Sequence, residues 1–530
     1  MYDNRGVLMK NIKKLISLLV CSTILLTVFT SCELLDLSVE PTTQAAEEET
    51  PVEGLDEIGY TLAFLRTDSL NPYECESETN MNIAKLMFDP LFNVGNDFKA
   101  SAVIAESYEY TADNKITVKI KSGLTFTDST ALSAEDVVYS FVLAKKSDSY
   151  SALLKNLTDA SADGSGNVVF TLKKANPYEV SNLTFPIIKK DSDKDTSSSD
   201  DYSSAIPIGS GRYTLKTENE NKKLVANKTR LGSYIPKYNF IGLRDITEVS
   251  SIPGLFDLNE VDFYTESFSD GVYKRYSGTS ATFETTNFVY LGINSQSNVL
   301  NNSDVRRALS LLIDRENIAS VSFSDFAEPA STPFHPSFYG IKDCSILPVK
   351  HDKDAAEELL TSAGFDGFNS EGILYNQEKG KLQLRLLVNK ENGFKLATAR
   401  NIQQTFASVG IDVILKEYSY KNYLSAVEEG SYELYIGEVK LTNSFNLSEF
   451  FTEDGAYAYG IDPECKSAED YKGLLNGTQT MQEFLDTFTD ELPFIPLMYR
   501  KGITVRSSKI KTASKTTVTD YLYNINDWTV

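Results

Sequence analysis

Hydrophobic and polar residues alternate with two different periods along the chain, and each period predicts a different kind of element. Residues 116–128, ITVKIKSGLTFTD, begin with apolar side chains at every second position, which predicts a strand that turns at Gly123. The stretch that follows, LSAEDVVYSFVLAKK, carries its apolar residues at helical spacing. Ser133 is a suitable N-cap and Asp136 completes a capping box, so we expect a helix to begin there.

Three further segments carry the apolar stripe of an amphipathic helix. Residues 80–88 form a helical run behind a proline-containing loop. Residues 304–318, DVRRALSLLIDRENI, place apolar side chains at positions i, i+3, i+4, i+7 and i+8. Residues 354–365, DAAEELLTSAGF, repeat that stripe. Gly364 is a natural stop for the last helix because glycine readily adopts the left-handed backbone found after a helix.

Beyond residue 381 the two periods alternate regularly. Residues 382–388, 411–418 and 432–437 are predicted strands, and helical patterns separate them. Such alternation indicates a parallel sheet with right-handed crossovers, and therefore an α/β fold. In open α/β sheets ligands bind beyond the carboxyl ends of the strands, so the loops after these strands are candidate site segments.

The N-terminus has a different pattern. A largely apolar run of fifteen residues, 15–29, follows four basic residues: Arg5, Lys10, Lys13 and Lys14. A bilayer-spanning helix needs about 20 residues, so this run is too short and is typical of the hydrophobic region of a secretory signal peptide. We expect the signal to occupy residues 1–31, with translation starting at Met1 or Met9.

The end of the apolar run suggests a modification. Phe29-Thr30-Ser31-Cys32 resembles the bacterial lipobox, in which small residues precede a cysteine that is lipidated and becomes the new N-terminus. The position three residues before Cys32 holds Phe29, where the usual residue is leucine. An ordinary signal peptide whose cleavage falls near a cysteine is the alternative. A diacylated Cys32 would bury enough methylene groups for stable membrane anchoring.

A tether is predicted directly behind this cysteine. Residues 33–57 contain nine acidic residues and neither lysine nor arginine. A segment of this composition cannot bury enough apolar surface to fold, and its charges repel one another. We therefore expect residues 32–57 to be a disordered spacer between the membrane and the folded part of the chain.

Composition excludes some functions and leaves others open. The chain has 530 residues and a formal charge of -23, which repels phosphate backbones and makes nucleic acid an unexpected partner. It contains two histidines and lacks the common zinc, P-loop and serine-hydrolase motifs, so we expect neither a metal site nor a cofactor. Cys75, Cys344 and Cys465 permit one disulfide or three unpaired thiols, and the sequence does not distinguish the two.

A set of motifs in one order resembles a known family from residue 60 to the C-terminus. The quoted segments are DPLFNVGNDFKASAVIAESYEYTADNKITVKIKSGLTFTDSTALSAEDVVYSF (89–141), PIGSGRY (207–213), NEVDFY (259–264) and the helices DVRRALSLLIDRENI and AAEELLTSAGF. This order resembles the family 5 extracellular solute-binding proteins of bacterial ABC importers. The best-known members bind oligopeptides, dipeptides and nickel complexes.

The resemblance implies a bilobal, clam-shell α/β fold of the periplasmic-binding-protein type (type II, cluster C) with an extra subdomain. The implied boundaries are residues 58–77, 206–293 and 494–530 for lobe I, 78–205 for a subdomain inserted in lobe I, with a flexible loop at 189–204, and 294–493 for lobe II. Hinge closure around the solute would then signal to the permease. We expect a monomer, anchored by lipid to the outer face of the cytoplasmic membrane, that catalyses no reaction.

The same resemblance points to candidate ligand-binding residues on loops that line the site in relatives. They are Asn71, Tyr73, Tyr290, Asn294 and His335. A structural role for His335 is the alternative.

A further pair of candidates comes from the peptide-amine anchor of relatives. In relatives the anchor is an aspartate that follows soon after a strand. When the matching strand of this chain is aligned on Gly437 without gaps, Leu441 occupies the position of that aspartate. Glu438 could replace it, with Lys440 nearby, or both could be solvated loop charges.

Four functions follow as hypotheses. The first is a lipid-anchored binding protein for a peptide or peptide-like solute, and the second is a binder of oligosaccharide or another non-peptide solute. The third is a surface enzyme such as a glycosidase with paired carboxylates, although 74 acidic residues make any one pair a weak signal. The fourth is a receptor lobe for signalling or adhesion.

Overall fold

The computed structural model describes residues 58–112, 114–194, 206–218, 221–227, 230, 238–268, 271–272 and 276–530. The predicted signal peptide, the predicted tether and Cys32 lie outside the described residues, as does most of the predicted loop 189–204. Among the helices of the described part, none combines the length and the apolar character needed to cross a membrane.

The strands of the described residues are spread over the whole folded chain. In chain order they are β1 (Ile58–Leu65), β2 (Phe92–Val94), β3 (Ala100–Ala102), β4 (Ala105–Ala112), β5 (Lys115–Ile120), β6 (Leu157–Ala162), β7 (Asn167–Leu172), β8 (Tyr213–Glu218), β9 (Asn221–Ala226), β10 (Phe240–Ile246), β11 (Phe263–Glu266), β12 (Thr279–Phe283), β13 (Asn287–Ile293), β14 (Ala327–Pro329), β15 (Gly367–Phe368), β16 (Leu374–Asn376), β17 (Gly380–Lys381), β18 (Gln383–Asn389), β19 (Asp412–Tyr418), β20 (Leu434–Lys440), β21 (Phe494–Arg500) and β22 (Gly502–Arg506).

The helices of the described residues lie mainly in the second half. They are α1 (Glu78–Met87), α2 (Ala134–Ala144), α3 (Ile252–Asp257), α4 (Ser303–Leu312), α5 (Arg315–Asn317), α6 (Lys353–Ser362), α7 (Gly393–Ala407), α8 (Tyr420–Glu428), α9 (Lys466–Asn476) and α10 (Met481–Glu491). Helices are thus confirmed for the runs at 80–88 and 354–365, while the run at 304–318 is divided between α4 and α5.

Two large sheets organise the molecule. The first has seven strands in the order β12-β22-β11-β1-β10-β9-β8, with β1 parallel to both of its neighbours. The C-terminal segment is attached to this sheet by Trp528, which is fully buried and has its ring centre 5.2 Å from that of Tyr60 and 5.0 Å from that of Phe263.

The second sheet has six strands in the order β14-β21-β13-β20-β18-β19. Strand β18 pairs in parallel with β19 and with β20, and α7 and α8 are the crossovers, which confirms the parallel βαβ pattern expected from residue 381 onwards. Both faces of the central strands are covered, because β13 and β21 are buried almost throughout.

The sequence-based boundaries assign residues 206–293 and 494–530 to lobe I, and those ranges include β13 and β21. The structure places these two strands differently. Both strands pair within the six-stranded sheet, β13 with β20 and β21. Each strand is a continuous apolar run. Because such a run suits the interior of either large sheet equally well, the sequence alone does not show which sheet contains it. We therefore propose that the chain passes between the lobes at residues 284–286 and again at residue 501.

A four-stranded antiparallel sheet, in the order β4-β5-β7-β6, forms a third layer. Strand β5 covers the start of the predicted strand 116–128, and α2 packs against β6 and β7. The expected capping box is present, since the Ser133 backbone N–H donates to Asp136 Oδ2 at 2.9 Å.

Two glycines of the segment PIGSGRY pack against the end of α1. A Cβ atom on Gly209 would lie 2.2 Å from the Met87 carbonyl oxygen, and one on Gly211 would lie 2.5 Å from the Leu86 carbonyl oxygen. Since no side chain fits at those distances, glycine is required for this turn to approach the helix. Gly364 ends α6 as expected, with a φ of +86°.

Candidate functional site

A cavity of about 2080 Å³ is the principal concave feature of the described residues, and we call it the cleft. One wall comes from α1, the four-stranded layer and residues 518–527. The other wall comes from residues 440–457, which begin at the last residue of β20 in the six-stranded sheet. Its position beyond the end of a parallel strand matches the general location of ligands in open α/β folds.

The base of the cleft is formed where the chain passes between the two large sheets. Thr285 and Thr286 join β12 to β13, and Arg500 stands at the end of β21 before β22 begins. The Thr285 hydroxyl donates to the Arg500 carbonyl oxygen, and the Thr286 hydroxyl donates to the Leu441 carbonyl oxygen at 2.7 Å. These bonds tie the crossing segments together at the base of the cleft.

A buried carboxylate lies in the wall formed by the four-stranded layer. Glu179 accepts hydrogen bonds from Asn156 at 3.0 Å, from Asn176 at 2.8 Å and from Asn182 at 2.9 Å. Burial raises the pKa of Glu179, while the three amide donors act in the opposite direction. Asn182 also donates to the Ser444 hydroxyl at 3.0 Å, so this cluster connects the two walls.

Most of the arginines in the cleft are already matched by carboxylates. Arg230 makes a two-pronged contact with Asp89, at 2.9 and 3.0 Å, and Arg212 binds Asp520 at 2.8 Å. Bidentate contacts of this kind hold both side chains in a fixed geometry. These four residues therefore shape the wall, and their charges are satisfied by each other.

The first two predicted ligand residues lie behind the wall of the cleft. Asn71 is buried, and its Oδ1 accepts from the backbone N–H of Tyr73 at 3.1 Å. The Tyr73 hydroxyl donates to the Pro186 carbonyl oxygen. Both side chains thus stabilise the loop before α1, and neither is among the residues that line the cleft.

The candidates near the first crossing have structural partners of their own. The Tyr290 ring is buried, with its centre 5.6 Å from that of Phe288. Asn294 donates to the Tyr432 carbonyl oxygen at 3.1 Å. They lie in the six-stranded sheet and at its edge, outside the lining of the cleft.

His335 is fully buried and forms part of a charged network. Its Nδ1 accepts from the backbone N–H of Ser337 at 3.1 Å, which leaves Nε2 to donate to Glu284 at 3.1 Å. Burial opposes ionisation of Glu284, but the bond from His335 and the charge of Lys501 outweigh it and hold its pKa below the usual value. This geometry agrees with the structural alternative for His335.

Glu438 and Lys440 lie two positions apart on strand β20, and therefore on the same face, yet they differ in their surroundings. The Glu438 carboxylate binds Lys395 at 2.7 Å and also binds Arg500. Lys440 is exposed and lines the cleft. Of the seven predicted ligand residues, Lys440 is the one that the structure places in the cleft, and ligand binding by all seven stays a prediction.

Sequence reasoning missed two residues that the structure brings to the cleft. Lys85 lies on α1, and its ammonium nitrogen is 4.9 Å from the centre of the Tyr521 ring. Lys85 could have been found from the sequence, because it is a basic residue on a helix whose other face is apolar. Tyr521 stands in an irregular segment near the C-terminus, where no periodicity marks it.

The chemistry of the cleft is that of recognition. Its lining offers amides, hydroxyls, ammonium groups and carboxylates from several segments, together with aromatic rings such as Tyr150 and Tyr457. Within the described ranges, no group of three or more His, Cys, Asp and Glu side chains is arranged to hold a metal ion. The three described cysteines are unpaired thiols.

Comparison with known sequences identifies the class. The sequence model of the bacterial extracellular solute-binding proteins, family 5 Middle, matches residues 99–453, about two thirds of the chain. The glutathione-binding protein GsiB of Pectobacterium atrosepticum is 27% identical over 316 residues, covering 57% of this chain and 60% of that protein. The glutathione-binding protein GsiB of Salmonella typhi is 23% identical over 474 residues, covering 83% of this chain and 89% of that protein.

Solved structures show the same fold. A nickel ABC transporter from Bacillus halodurans matches with a TM-score of 0.71 at 18% identity, covering 89% of this chain and 100% of that one. The unliganded open form of MppA, a periplasmic murein tripeptide binding protein, matches with a TM-score of 0.70 at 18% identity, covering 85% of this chain and 94% of that one. These likenesses confirm the expected bilobal α/β architecture.

The chain belongs to family 5 of the bacterial extracellular solute-binding proteins, the substrate-binding components of ABC importers. This family consists of binding proteins, which fits the expectation that the chain makes and breaks no covalent bonds. Its members act outside the cytoplasm, in the periplasm or the cell envelope.

Proposed function

We propose that the protein captures a peptide or peptide-like solute in the cleft and delivers it to the permease of an ABC importer. The observation that carries this proposal is the size of the cleft. At about 2080 Å³ it exceeds the roughly 300–1,000 Å³ of sites for small molecules, and it has room for an extended chain of several residues.

The lining of the cleft also suits a peptide. Peptide main chains are recognised by hydrogen bonds to each N–H and C=O group, and the cleft offers donors and acceptors on both walls. Although the Bacillus halodurans protein is a nickel transporter, the family likeness supports the same class, since GsiB is a glutathione-binding protein and MppA a murein tripeptide binding protein. Both of those solutes contain peptide bonds.

A non-peptide solute such as an oligosaccharide is the second candidate, and one observation favours it. In peptide-binding relatives a free carboxylate anchors the amine of the solute, but here Leu441 occupies the aligned position and Glu438 is bound to Lys395 and Arg500. Aromatic side chains in the lining, including Tyr457 and the exposed Tyr523, are suitable surfaces for sugar rings.

We further propose that the protein works as a monomer tethered to the outer face of the cytoplasmic membrane through a lipid on Cys32. The sequence around that cysteine and the acidic segment 33–57 support this proposal. A tether would let one anchored molecule meet the permease repeatedly without leaving the membrane surface.

A thermal-shift panel tests the proposed solute class. Soluble protein of residues 33–530 is heated with equal concentrations of tri- to pentapeptides or of oligosaccharides, and the melting temperature is compared with that of the free protein. A solute that binds the folded state stabilises it by mass action, by about 2.7 kcal/mol at a hundredfold excess over Kd. Shifts with peptides support the proposal, while shifts confined to sugars favour the second candidate.

A further inference from the structure

Two lysines face the cleft from its opposite walls. Lys85 is half-buried on α1, a helix that packs against β1 and β8 of the seven-stranded sheet. Lys440 is exposed at the end of β20 in the six-stranded sheet. Both line the cleft, so movement of one wall against the other changes the separation of their ammonium groups.

Four other cations of the cleft have carboxylate partners. Besides the two arginines already described, Arg500 binds Glu438 and Lys155 binds Glu449 at 2.7 Å. Over the described part of the chain, neither the Lys85 nor the Lys440 ammonium makes a comparable ion pair. The exposed Lys121, Lys173 and Lys174 also line the cleft. Lys85 and Lys440 are distinguished from them by lying on opposite walls while the charge of one acts on the other.

The acids nearest to Lys85 are engaged elsewhere. Asp520 and Glu78 both attract the Lys85 charge. Asp520, however, binds Arg212 at 2.8 Å, and Glu78 accepts a hydrogen bond from the Thr265 hydroxyl at 3.3 Å. Neither carboxylate is close enough to neutralise Lys85 by direct contact.

Burial and like charge make this arrangement of ammonium groups unfavourable. Burial lowers the pKa of Lys85, and the positive charge of Lys440 acts in the same direction. An anion placed between the two ammonium groups would offset both effects, because it supplies opposite charge to each.

Aromatic rings beside Lys85 strengthen the attraction between its ammonium group and a bound anion. Tyr521 lies 4.9 Å from the Lys85 nitrogen, and its ring centre is 4.2 Å from that of Phe283. The two rings cover part of the base of the cleft with apolar surface. Charges interact more strongly next to such a surface than in bulk water.

We propose that Lys85 and Lys440 form an anion-binding subsite, in which one carboxylate of the bound solute contacts both ammonium groups. A carboxylate has two oxygens and can accept a charge-assisted hydrogen bond from each lysine. Because the lysines belong to opposite walls, the carboxylate links the walls and favours the closed form. This inference rests on the proposed function and narrows its substrate class to anionic solutes.

Competition between matched peptides tests the subsite. Protein of residues 33–530 is mixed with trialanine and trialaninamide, which differ in the terminal carboxylate, and the complexes are counted by native mass spectrometry. We expect at least a tenfold preference for the free acid. A third peptide, Ala-Glu-Ala amide, shows whether a side-chain carboxylate can serve in place of the terminal one.

Variants connect the preference to the two lysines. Lys85→Gln and Lys440→Gln should each bring the ratio of acid to amide close to one, while Lys85→Arg keeps the charge and should keep the preference. Lys421→Gln on α8, an exposed lysine outside the cleft, is the matched control and should leave the ratio unchanged. Circular dichroism melts check that all variants are folded.

The outcomes separate this inference from the proposed function. Equal retention of acid and amide by the unmodified protein overturns the anionic subsite but leaves peptide binding intact. A preference that survives both glutamine variants also overturns it, because the carboxylate must then bind elsewhere. Failure to retain any of the peptides counts against the proposed function, and the subsite is rejected with it.

Discussion

The Glu438 carboxylate lies 2.7 Å from the Lys395 ammonium nitrogen, and its other oxygen binds the Arg500 guanidinium. Glu438 is therefore an internal counter-ion that joins α7, β20 and β21 next to the base of the cleft. A solute amine that used this carboxylate would have to share it with these two cations.

Replacing Glu438 with glutamine should destabilise the fold. The Glu438→Gln variant leaves Lys395 and Arg500 without their shared negative charge in a mostly buried place, which costs about 3 kcal/mol. Glu428→Gln, an exposed position on α8, should change stability by less than about 0.5 kcal/mol. Urea unfolding at neutral pH measures both changes.

The same comparison should depend on pH. Burial opposes ionisation of Glu438, but the charges of Lys395 and Arg500 outweigh it and hold the folded-state pKa below 4.5. A depressed carboxyl pKa stabilises the protein above the unfolded-state pKa, and that contribution is lost as the pH falls through the folded-state pKa. The stability difference between unmodified and Glu438→Gln protein should thus shrink below about pH 4.5.

Peptide affinity of the Glu438→Gln variant tests the hypothesis drawn from the sequence that this residue anchors a solute amine. If the charge network is structural, the affinity of the folded variant for peptides should be close to that of the unmodified protein. A large loss of affinity without loss of folding would instead support the anchor.

The turn PIGSGRY should tolerate no added methyl group. In Gly211→Ala the new Cβ would lie 2.5 Å from the Leu86 carbonyl oxygen, so α1 or the turn must move, at a cost of about 1–3 kcal/mol. Gly254→Ala in α3 is the matched control, because nothing lies within 4 Å of the added atom and alanine favours a helix. Differential scanning calorimetry should show a lower melting temperature for the first variant alone.

Cys32 is expected to be the point of membrane attachment. Cys32→Ala should release the protein from the membrane fraction without altering solute binding, because the proposed tether would separate the cysteine from the folded residues. Cys344→Ala, a free thiol of the folded part, should remain membrane-bound. Mass spectrometry of the N-terminal peptide identifies the lipid directly, and an unmodified Cys32 in mature protein would contradict the proposal.

The sequence predicts the local elements of this fold well because their signals are local. The capping box of Ser133 and Asp136, the helix stop at Gly364 and the strands β18, β19 and β20 all depend on residues that are neighbours in the chain. The order of motifs resembling one family then supplied the bilobal architecture. No local pattern, however, shows which sheet receives a buried run such as β13 or β21.

The cleft itself was predicted less well, and for the same reason. Lys85 and Tyr521 come from distant parts of the chain and meet only in the folded protein, whereas Lys440 was predicted from its position after a strand. The resemblance predicts ligand-binding roles for Tyr290 and His335 because they occur on segments that line the site in relatives, but their side chains are buried in packed regions here. Side-chain direction depends on the packing of neighbouring elements, which a single sequence does not display.

The central claim is that the cleft binds a peptide or peptide-like solute, and native mass spectrometry of freshly purified protein, residues 33–530, tests it most directly. The protein is sprayed with its co-purified solutes, which are then released and fragmented. The account predicts an added mass that yields amino-acid fragment ions. A bound solute that yields sugar fragments, or a protein that carries no solute and accepts none from a peptide mixture, would contradict it.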